Sequence, residues 1–220
     1  MNLGSSVTAT SVTVTASATL GLTAGGFTLK ITGTGTGASR PLVATGILTA
    51  SSNSTVEFVG NGATEVEKNT TYYNLLIDPT ITGATAYTFT AGTFSIGNNF
   101  TINPTAASAL TLTTSMNAAI TVTGTTLIQG TTSGLGTLDA VGANNLTTGK
   151  IDIETGGTFL AQSSTVTLNT PTASQTLFTV GGTGTFTAGT SIVQFQSDAD
   201  ETIRSGTFTL NDFRLNPTIT

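Results

Sequence analysis

The sequence predicts an all-β protein, a right-handed parallel β-solenoid (β-helix) with coils of about 22 residues. Three observations lead to this prediction. Apolar and polar residues alternate with a period of two, clusters of glycine and asparagine interrupt the alternation at short intervals, and a Gly-Thr-Phe triplet recurs along the chain. No segment combines the 3.6-residue periodicity of an amphipathic helix with helix caps.

The alternation identifies individual strands. Near the start, Ser11-Val12-Thr13-Val14-Thr15 places both valines on one side of an extended backbone. The same rhythm occurs at residues 110–113, 120–123, 166–168 and 186–187. Threonine, present 53 times, suits the outward positions because it is β-branched and its hydroxyl faces water.

Short clusters of turn-forming residues separate these strands. They lie at residues 33–37, 97–99, 103–104 and 181–182. Glycine and asparagine permit positive φ angles and proline fixes φ, so these clusters predict tight turns between short strands.

The Gly-Thr-Phe triplets begin at Gly92, Gly157, Gly184 and Gly206, so that successive triplets stand 65, 27 and 22 positions apart. Residues 92–105 also match residues 206–218, residues 74–82 match 212–220, and residues 54–58 match 191–195. A unit of about 22 residues cannot bury its own apolar face, so coils stacked about 4.8 Å apart would have to form the core.

We therefore predict one continuous solenoid over residues 1–220, and we expect it to be a fragment of a longer repeat protein. The alternative is a pair of tandem β-sandwich domains of immunoglobulin type, each about 100 residues long. Offsets of 137 between Phe58 and Phe195 and of 138 between Pro79 and Pro217 support that alternative. The shorter spacing between the last two Gly-Thr-Phe triplets favours the solenoid.

Composition excludes several functions. Histidine and cysteine are absent, which rules out a Ser-His-Asp triad, a thiolate nucleophile and zinc sites built on either residue. The net charge is −5 and the six basic residues are scattered, so we predict no nucleic-acid partner. No apolar run approaches the length of about 18 residues that spans a bilayer, which predicts no membrane insertion. We expect no enzymatic activity, no catalytic or metal-binding residue and no cofactor.

Three segments carry a resemblance to a known group of proteins: NLLI at residues 74–77, FSIGNNFTIN at 94–103 and FTLNDFRLN at 208–216. They resemble the strand-repeat segments of large bacterial surface proteins of the filamentous-haemagglutinin and autotransporter-passenger kind. The resemblance implies a secreted β-helix, extracellular or on the cell surface, that serves as an adhesin or a stalk. It implies no particular binding residue.

The threonines suggest a candidate surface. Three Thr-x-Thr pairs follow one another at intervals of 20 and 22 positions, so consecutive coils would stack them into one flat row of hydroxyls. The pairs are Thr165 and Thr167, Thr185 and Thr187, and Thr207 and Thr209. Such a ladder resembles the ice-binding surfaces of antifreeze proteins, which makes ice an alternative ligand.

Charged clusters have both a chemical and a structural interpretation. Lys150, Asp152 and Glu154 share one side of a strand, where two carboxylates could act on a sugar, although a solvated face with an ion pair is the simpler explanation. Residues 65–68 have the same two interpretations. The acidic residues 198–201 suggest either a calcium site or a turn.

The tyrosines are a further candidate site. Tyr72, Tyr73 and Tyr87 are close together in the sequence and could stack on a sugar ring. Packing in the core is the simpler explanation for them.

The sequence as a whole predicts a non-enzymatic, extracellular structural or adhesive repeat module, a rod-like stalk or filament component of a bacterial surface protein. The alternative is a solenoid that binds ice or carbohydrate. We expect it to associate with itself through strand edges or coil ends, because uncharged strand edges such as those of residues 79–137 favour pairing with other chains. A cell-surface or carbohydrate ligand is the other expected partner.

Overall fold

The computed structural model describes residues 1–22, 26–68, 70–169, 176–196, 202–203 and 208–216. Regular structure in these ranges is β-strand, apart from one 3₁₀ turn at Gly37–Ser39. Over the same ranges, no helix has the length and apolar character needed to cross a membrane.

The strands are short and follow one another at brief intervals. In chain order they are β1 (Val7–Ala9), β2 (Val12–Val14), β3 (Thr19–Leu22), β4 (Thr28–Ile31), β5 (Leu42–Ala44), β6 (Ile47–Ala50), β7 (Thr55–Phe58), β8 (Thr64–Val66), β9 (Thr71–Tyr72), β10 (Asn74–Ile77), β11 (Thr80–Ile81), β12 (Thr85–Phe89), β13 (Thr93–Ile96), β14 (Phe100–Ile102), β15 (Thr105–Ala106), β16 (Leu110–Met116), β17 (Ala119–Ile128), β18 (Gly134–Asp139), β19 (Leu146–Ile153), β20 (Gly157–Leu160), β21 (Thr165–Leu168), β22 (Thr176–Val180), β23 (Thr185–Thr187), β24 (Ile192–Phe195), β25 (Thr202–Ile203) and β26 (Asp212–Leu215).

Each strand pairs in parallel with a strand one coil away rather than with its neighbour in sequence. β4, for example, pairs with β1 on one side and with β7 on the other. The chain is therefore a parallel β-solenoid, of about seven turns, which confirms the predicted fold class. The tandem-sandwich alternative is wrong, because immunoglobulin-type sandwiches are built from antiparallel strands.

The coils present three strand-bearing faces. The first face contains β9, β13, residues 119–122 of β17, residues 146–148 of β19, β21, β24 and β26. The second face contains β1, β4, β7, β10, β14, residues 126–128 of β17, residues 151–153 of β19, β22 and β25. The third face is the six-stranded sheet of β8, β12, β16, β18, β20 and β23. The first two faces form one sheet because β17 and β19 run through the corner between them.

The coils are longer and less uniform than the sequence predicts. Paired strands lie about 25 residues apart. Val56 pairs with Leu75, only 19 positions later, whereas Val12 pairs with Leu42, 30 positions later. Turns between faces absorb this variation, because the in-register strands themselves cannot change length without breaking their ladders.

Inward side chains from all three faces fill the interior as the alternation predicts. Strands such as β21 and β24 alternate between partly exposed and fully buried residues. Aromatic rings contact one another between coils on the inside: Phe159 and Phe186, on paired strands of adjacent coils, have ring centroids 5.7 Å apart. The apolar column is thus continuous along the axis, which is the arrangement that lets thin coils share one core.

The internal sequence matches identify strands rather than coils. The triplets at Gly157 and Gly184 are true equivalents, since Thr158 pairs with Thr185 on the third face. The triplet at Gly92 leads instead into β13 on the first face. Likewise residues 54–58 lie on the second face and residues 191–195 on the first. The sequence phrase therefore encodes one strand with its turn, and it recurs on more than one face.

Candidate functional site

The predicted ladder of threonine pairs does not form as proposed. Thr165 and Thr167 lie on β21 of the first face, where they pair with Ile192 and Gln194 of the next coil, 27 positions later. Thr185 and Thr187 lie on β23 of the third face. The predicted stacking of these two pairs is wrong because the interval between them is shorter than the coil at this point, so the second pair falls on a different face.

The last predicted pair is only partly described. Thr209 is exposed, whereas Thr207 lies outside the described residues. The two pairs that are fully described point outward, as their alternation with buried Val166 and Phe186 requires.

Two other columns of hydroxyls do form, each through consecutive register pairs. On the third face the column joins Thr113, Thr137, Thr158 and Thr185. On the first face it joins Thr71, Ser95, Thr121, Thr147 and Thr167. Parallel strands set the spacing along each column at about 4.8 Å. These rows were not visible in the sequence because coil lengths differ from one turn to the next.

Two of the three tyrosines cannot stack on a sugar. Tyr72 and Tyr87 are fully buried, and their hydroxyls donate hydrogen bonds of 2.6 Å to the carbonyl oxygens of Glu67 and Gly60. Burial raises the pKa of both phenols, with the Glu67 carboxylate adding to the effect at Tyr72. The carbohydrate hypothesis for this pair is therefore wrong, and only Tyr73 is partly exposed.

Lys150 and Asp152 occupy the outward side of β19 and Glu154 follows its last residue, while Ile151 and Ile153 between them are fully buried. The Lys150 ammonium lies 2.7 Å from a carboxylate oxygen of Asp152. This geometry is the ion-paired strand face that the sequence suggested as the simpler interpretation. An engaged carboxylate is poorly placed to act as a general base.

Residues 65–68 do not form the solvated strand face that the sequence suggested, because the Glu67 carboxylate is internal. Glu67 is fully buried and contacts Arg40, whose Nε lies 2.8 Å from Oε2. The Ala44 backbone N–H donates to the same oxygen at 3.1 Å. Arg40 also lies 3.5 Å from Glu65, whose other oxygen accepts from the Gly37 backbone N–H at 2.7 Å. Through these contacts the cluster connects the loop around the 3₁₀ turn to the next coil.

A third charged cluster lies on the second face. Lys30 and Glu57 form an ion pair of 2.8 Å between adjacent coils. Asp78 lies beyond them and accepts a 3.4 Å hydrogen bond from the Asn103 amide. Desolvation raises the pKa of Asp78, and the Glu57 carboxylate raises it further against the opposing effect of Lys30. The Lys30 ammonium thus pairs directly with Glu57 and acts on Asp78 only at longer range.

No set of three or more acidic residues in the described ranges is arranged to hold a metal ion. The acidic residues 198–201 lie outside those ranges, so calcium binding there stays a hypothesis. Glu57, Glu65, Glu67, Asp152 and Asp212 instead pair with cations or backbone N–H groups, which is a structural role. Sequence reasoning could not have found the Arg40 cluster, since its two carboxylates stand 25 and 27 positions away and belong to a different coil.

The geometry defines this chain as a β-solenoid repeat protein with paired charges and hydroxyl columns on its outer faces. Comparison with protein-family models, with curated proteins and with solved structures finds no match. The fold is consistent with repeat segments of surface proteins, while the specific resemblance to haemagglutinin-like and autotransporter-like segments continues to rest on the sequence phrases alone.

Proposed function

We propose that this chain is a non-enzymatic structural repeat module, a rod-like shaft in an extracellular or cell-surface adhesin of bacterial type. The observation that carries the proposal is the uninterrupted apolar column, enclosed by strands that hydrogen-bond to the coils above and below. Such a shaft resists bending because every coil is tied to both neighbours along its perimeter.

The outer surface supports the same proposal. Its ion pairs between Lys30 and Glu57 and between Arg40 and Glu67 connect different coils rather than converging on one cleft. Because the backbone N–H and C=O groups of the strands are hydrogen-bonded within the ladders, few of them are accessible to a protease along the three faces. A shaft of about seven turns would be about 34 Å long at 4.8 Å per turn.

The test is mechanical and proteolytic. The purified chain should remain intact with a broad-specificity protease under native conditions, and single-molecule pulling should show unfolding in steps of about one coil or a small group of coils. Rapid cleavage at many sites along residues 70–169, or complete extension at forces too small to measure, would contradict a shaft.

The proposed self-association rests on β26, whose Phe213 and Leu215 are in register with the buried Val193 and Phe195 but are themselves 43% and 69% exposed. Exposed apolar side chains at inward register positions favour burial against another coil, which a second copy of the chain can supply. Sedimentation of the native chain should show concentration-dependent assembly that a Phe213→Ser and Leu215→Ser double variant loses; a monomer at all concentrations would contradict it.

The second candidate function is ice binding, favoured by the observed columns rather than by the predicted one. Of the four in-register threonines on the third face, Thr113, Thr158 and Thr185 are at least partly exposed, whereas Thr137 between them is buried. An ice-recrystallisation assay tests it directly: crystals should stay small with the native chain and coarsen when Thr158 and Thr185 are replaced by lysine. Coarsening with the native chain would reject it.

A further inference from the structure

A groove opens on the first face where the regular ladder is interrupted. β6 belongs to a separate two-stranded sheet with β3, and β9 has only two residues, so the coils that contain β6 and β9 do not pair along a full strand. The resulting depression has a volume of about 360 Å³. Its main lining residues are Ile47, Lys68, Thr70, Thr71, Thr93 and Ser95.

The groove contains a cation without a carboxylate partner. In the described part of the chain Lys68 forms no ion pair, and its ammonium donates only to the Ala91 carbonyl oxygen at 3.2 Å. Every other described lysine or arginine lies within 2.9 Å of a carboxylate: Lys30, Arg40, Lys150 and Arg214. Although the chain carries a net charge of −5, this ammonium is the described lysine or arginine charge that a carboxylate does not already offset, so an added anion can pair with it.

The rest of the groove is lined by groups that suit a sugar. Thr71, Thr93 and Ser95 are exposed, and over the described residues their hydroxyls form no hydrogen bond. A hydroxyl donates one hydrogen bond and accepts others, which matches the hydroxyls of a saccharide. Ile47, 62% exposed on the same groove, offers an aliphatic surface to the C–H side of a ring.

We propose that this groove binds a carboxylate-bearing saccharide of the uronic-acid type. The sugar carboxylate would accept hydrogen bonds from the Lys68 ammonium, and its ring hydroxyls would pair with Thr71, Thr93 and Ser95. Because Ser95 stands in register between Thr71 and Thr121, further sugar units would lie along the hydroxyl column of the first face.

Other anions fit this surface less well. Phosphate groups are usually held by several arginines or by converging backbone N–H groups, whereas the groove offers one lysine. An extended peptide would have to add to the open edges of β6 and β9, but Cα atoms of these two strands lie within 8 Å of each other, which is less than the roughly 9.6 Å that a strand inserted between them requires. One carboxylate together with several hydroxyls is the chemistry that the groove complements.

The test is a calorimetric or NMR titration of the native chain with trigalacturonate, and with its fully methyl-esterified form, which keeps the rings and removes the charge. Trigalacturonate should bind with a dissociation constant at or below about 1 mM, and the affinity should fall as salt is added. The ester, and the Lys68→Met variant with the acid, should bind more weakly by a factor of up to about five, which is the loss expected from one exposed ion pair. Lys68→Arg should retain binding.

Lys150→Met is the matched control, because it removes the same charge from the second face and should leave the affinity unchanged. Thermal unfolding of Lys68→Met should match that of the native chain. If the variant is less stable, the comparison of the acid with its ester still tests the proposal, because that comparison uses the native protein. No binding of trigalacturonate, equal affinity for the ester, or equal loss in Lys150→Met would overturn the proposal. Failure of the saccharide proposal would leave the proposed structural function intact, because the protease and pulling experiments test that function without the groove.

Discussion

The Arg40 guanidinium and the Glu67 carboxylate form an ion pair inside the solenoid, with Nε 2.8 Å from Oε2, although 27 positions separate the two residues. The pair lies where the third face loses its regular ladder: among the residues that the structure describes, β8 ends the six-stranded sheet and β5 pairs only with β2. At the junction between these coils, an ion pair connects residues that strand pairing does not.

Replacement of Arg40 by methionine should therefore destabilise the fold by about 3 kcal/mol, because it removes the cation that lies 2.8 Å from the buried Glu67 carboxylate. The Arg40→Met and Glu67→Gln double variant should recover part of that loss. Chemical denaturation followed by circular dichroism measures both values. Arg214→Met is the control: its pair with Asp212 is half exposed, so the loss should stay below about 1 kcal/mol. Equal losses in the two single variants would contradict an internal ion pair.

The buried phenols make the fold sensitive to alkali. Because the folded pKa of Tyr72 and Tyr87 is raised, the folded state keeps two protons that the unfolded chain releases near pH 10. Their contribution to stability is fully present below that pH and is lost as the pH rises toward the folded pKa values. Tyrosinate absorbance should show these two groups ionising only together with unfolding, seen by circular dichroism. Their ionisation in a chain that remains folded would show that they are accessible.

Asp78 should oppose folding at neutral pH, since its pKa is raised by desolvation and by Glu57. The folded state then prefers the protonated carboxyl, so its ionisation reduces stability as the pH rises through the folded pKa. Asp78→Asn should increase the free energy of unfolding at pH 7 by about 0.5 kcal/mol or less. The gain should vanish well below the ordinary aspartate pKa of about 3.9.

Asp152→Asn is the natural comparison for Asp78, because Asp152 is paired with Lys150 at 2.7 Å. It should lower the stability at pH 7 by up to about 1 kcal/mol. The same sign of change in both variants, measured by urea unfolding, would refute the assignment of Asp78 as the under-compensated carboxylate.

Gly157 marks a close approach between coils. A Cβ atom at this position would overlap the carbonyl oxygen of Ile128, whereas nothing lies within 4 Å of a Cβ at Gly83. Gly157→Ala should cost about 1 to 3 kcal/mol, because the backbone itself must move. Gly83→Ala should change the unfolding free energy by less than about 0.5 kcal/mol. Similar midpoints for the two variants would mean that the coils are not packed this closely.

Local alternation was enough to predict which way side chains point. Val166 and Leu168 are buried and Thr165 and Thr167 face outward, because a strand sends successive side chains to opposite sides whatever surrounds it. The fold class followed from the same signal together with the turn clusters. The recurrence of Gly-Thr-Phe at Gly157 and Gly184 also marked a true pair of stacked strands.

Local alternation could not predict which residues stack on one another in successive coils, as Thr167 and Thr187 illustrate. They are 20 positions apart and lie on different faces, whereas Thr167 stacks on Thr147, also 20 positions away. An identical separation has two outcomes because turn lengths differ in each coil. Face membership depends on the sum of all intervening turns, and no single segment encodes that sum.

The sequence alone determined that this protein is all-β, that strand threonines such as Thr165 and Thr167 face outward and that the interior is largely apolar, because strand geometry and hydrophobic burial act on neighbouring residues. Only the tertiary structure decided that Tyr72 and Tyr87 are internal, that Arg40 reaches Glu67, and that Lys68 is left with hydroxyls instead of a carboxylate. Those contacts join residues from different turns, and their formation depends on where each coil closes.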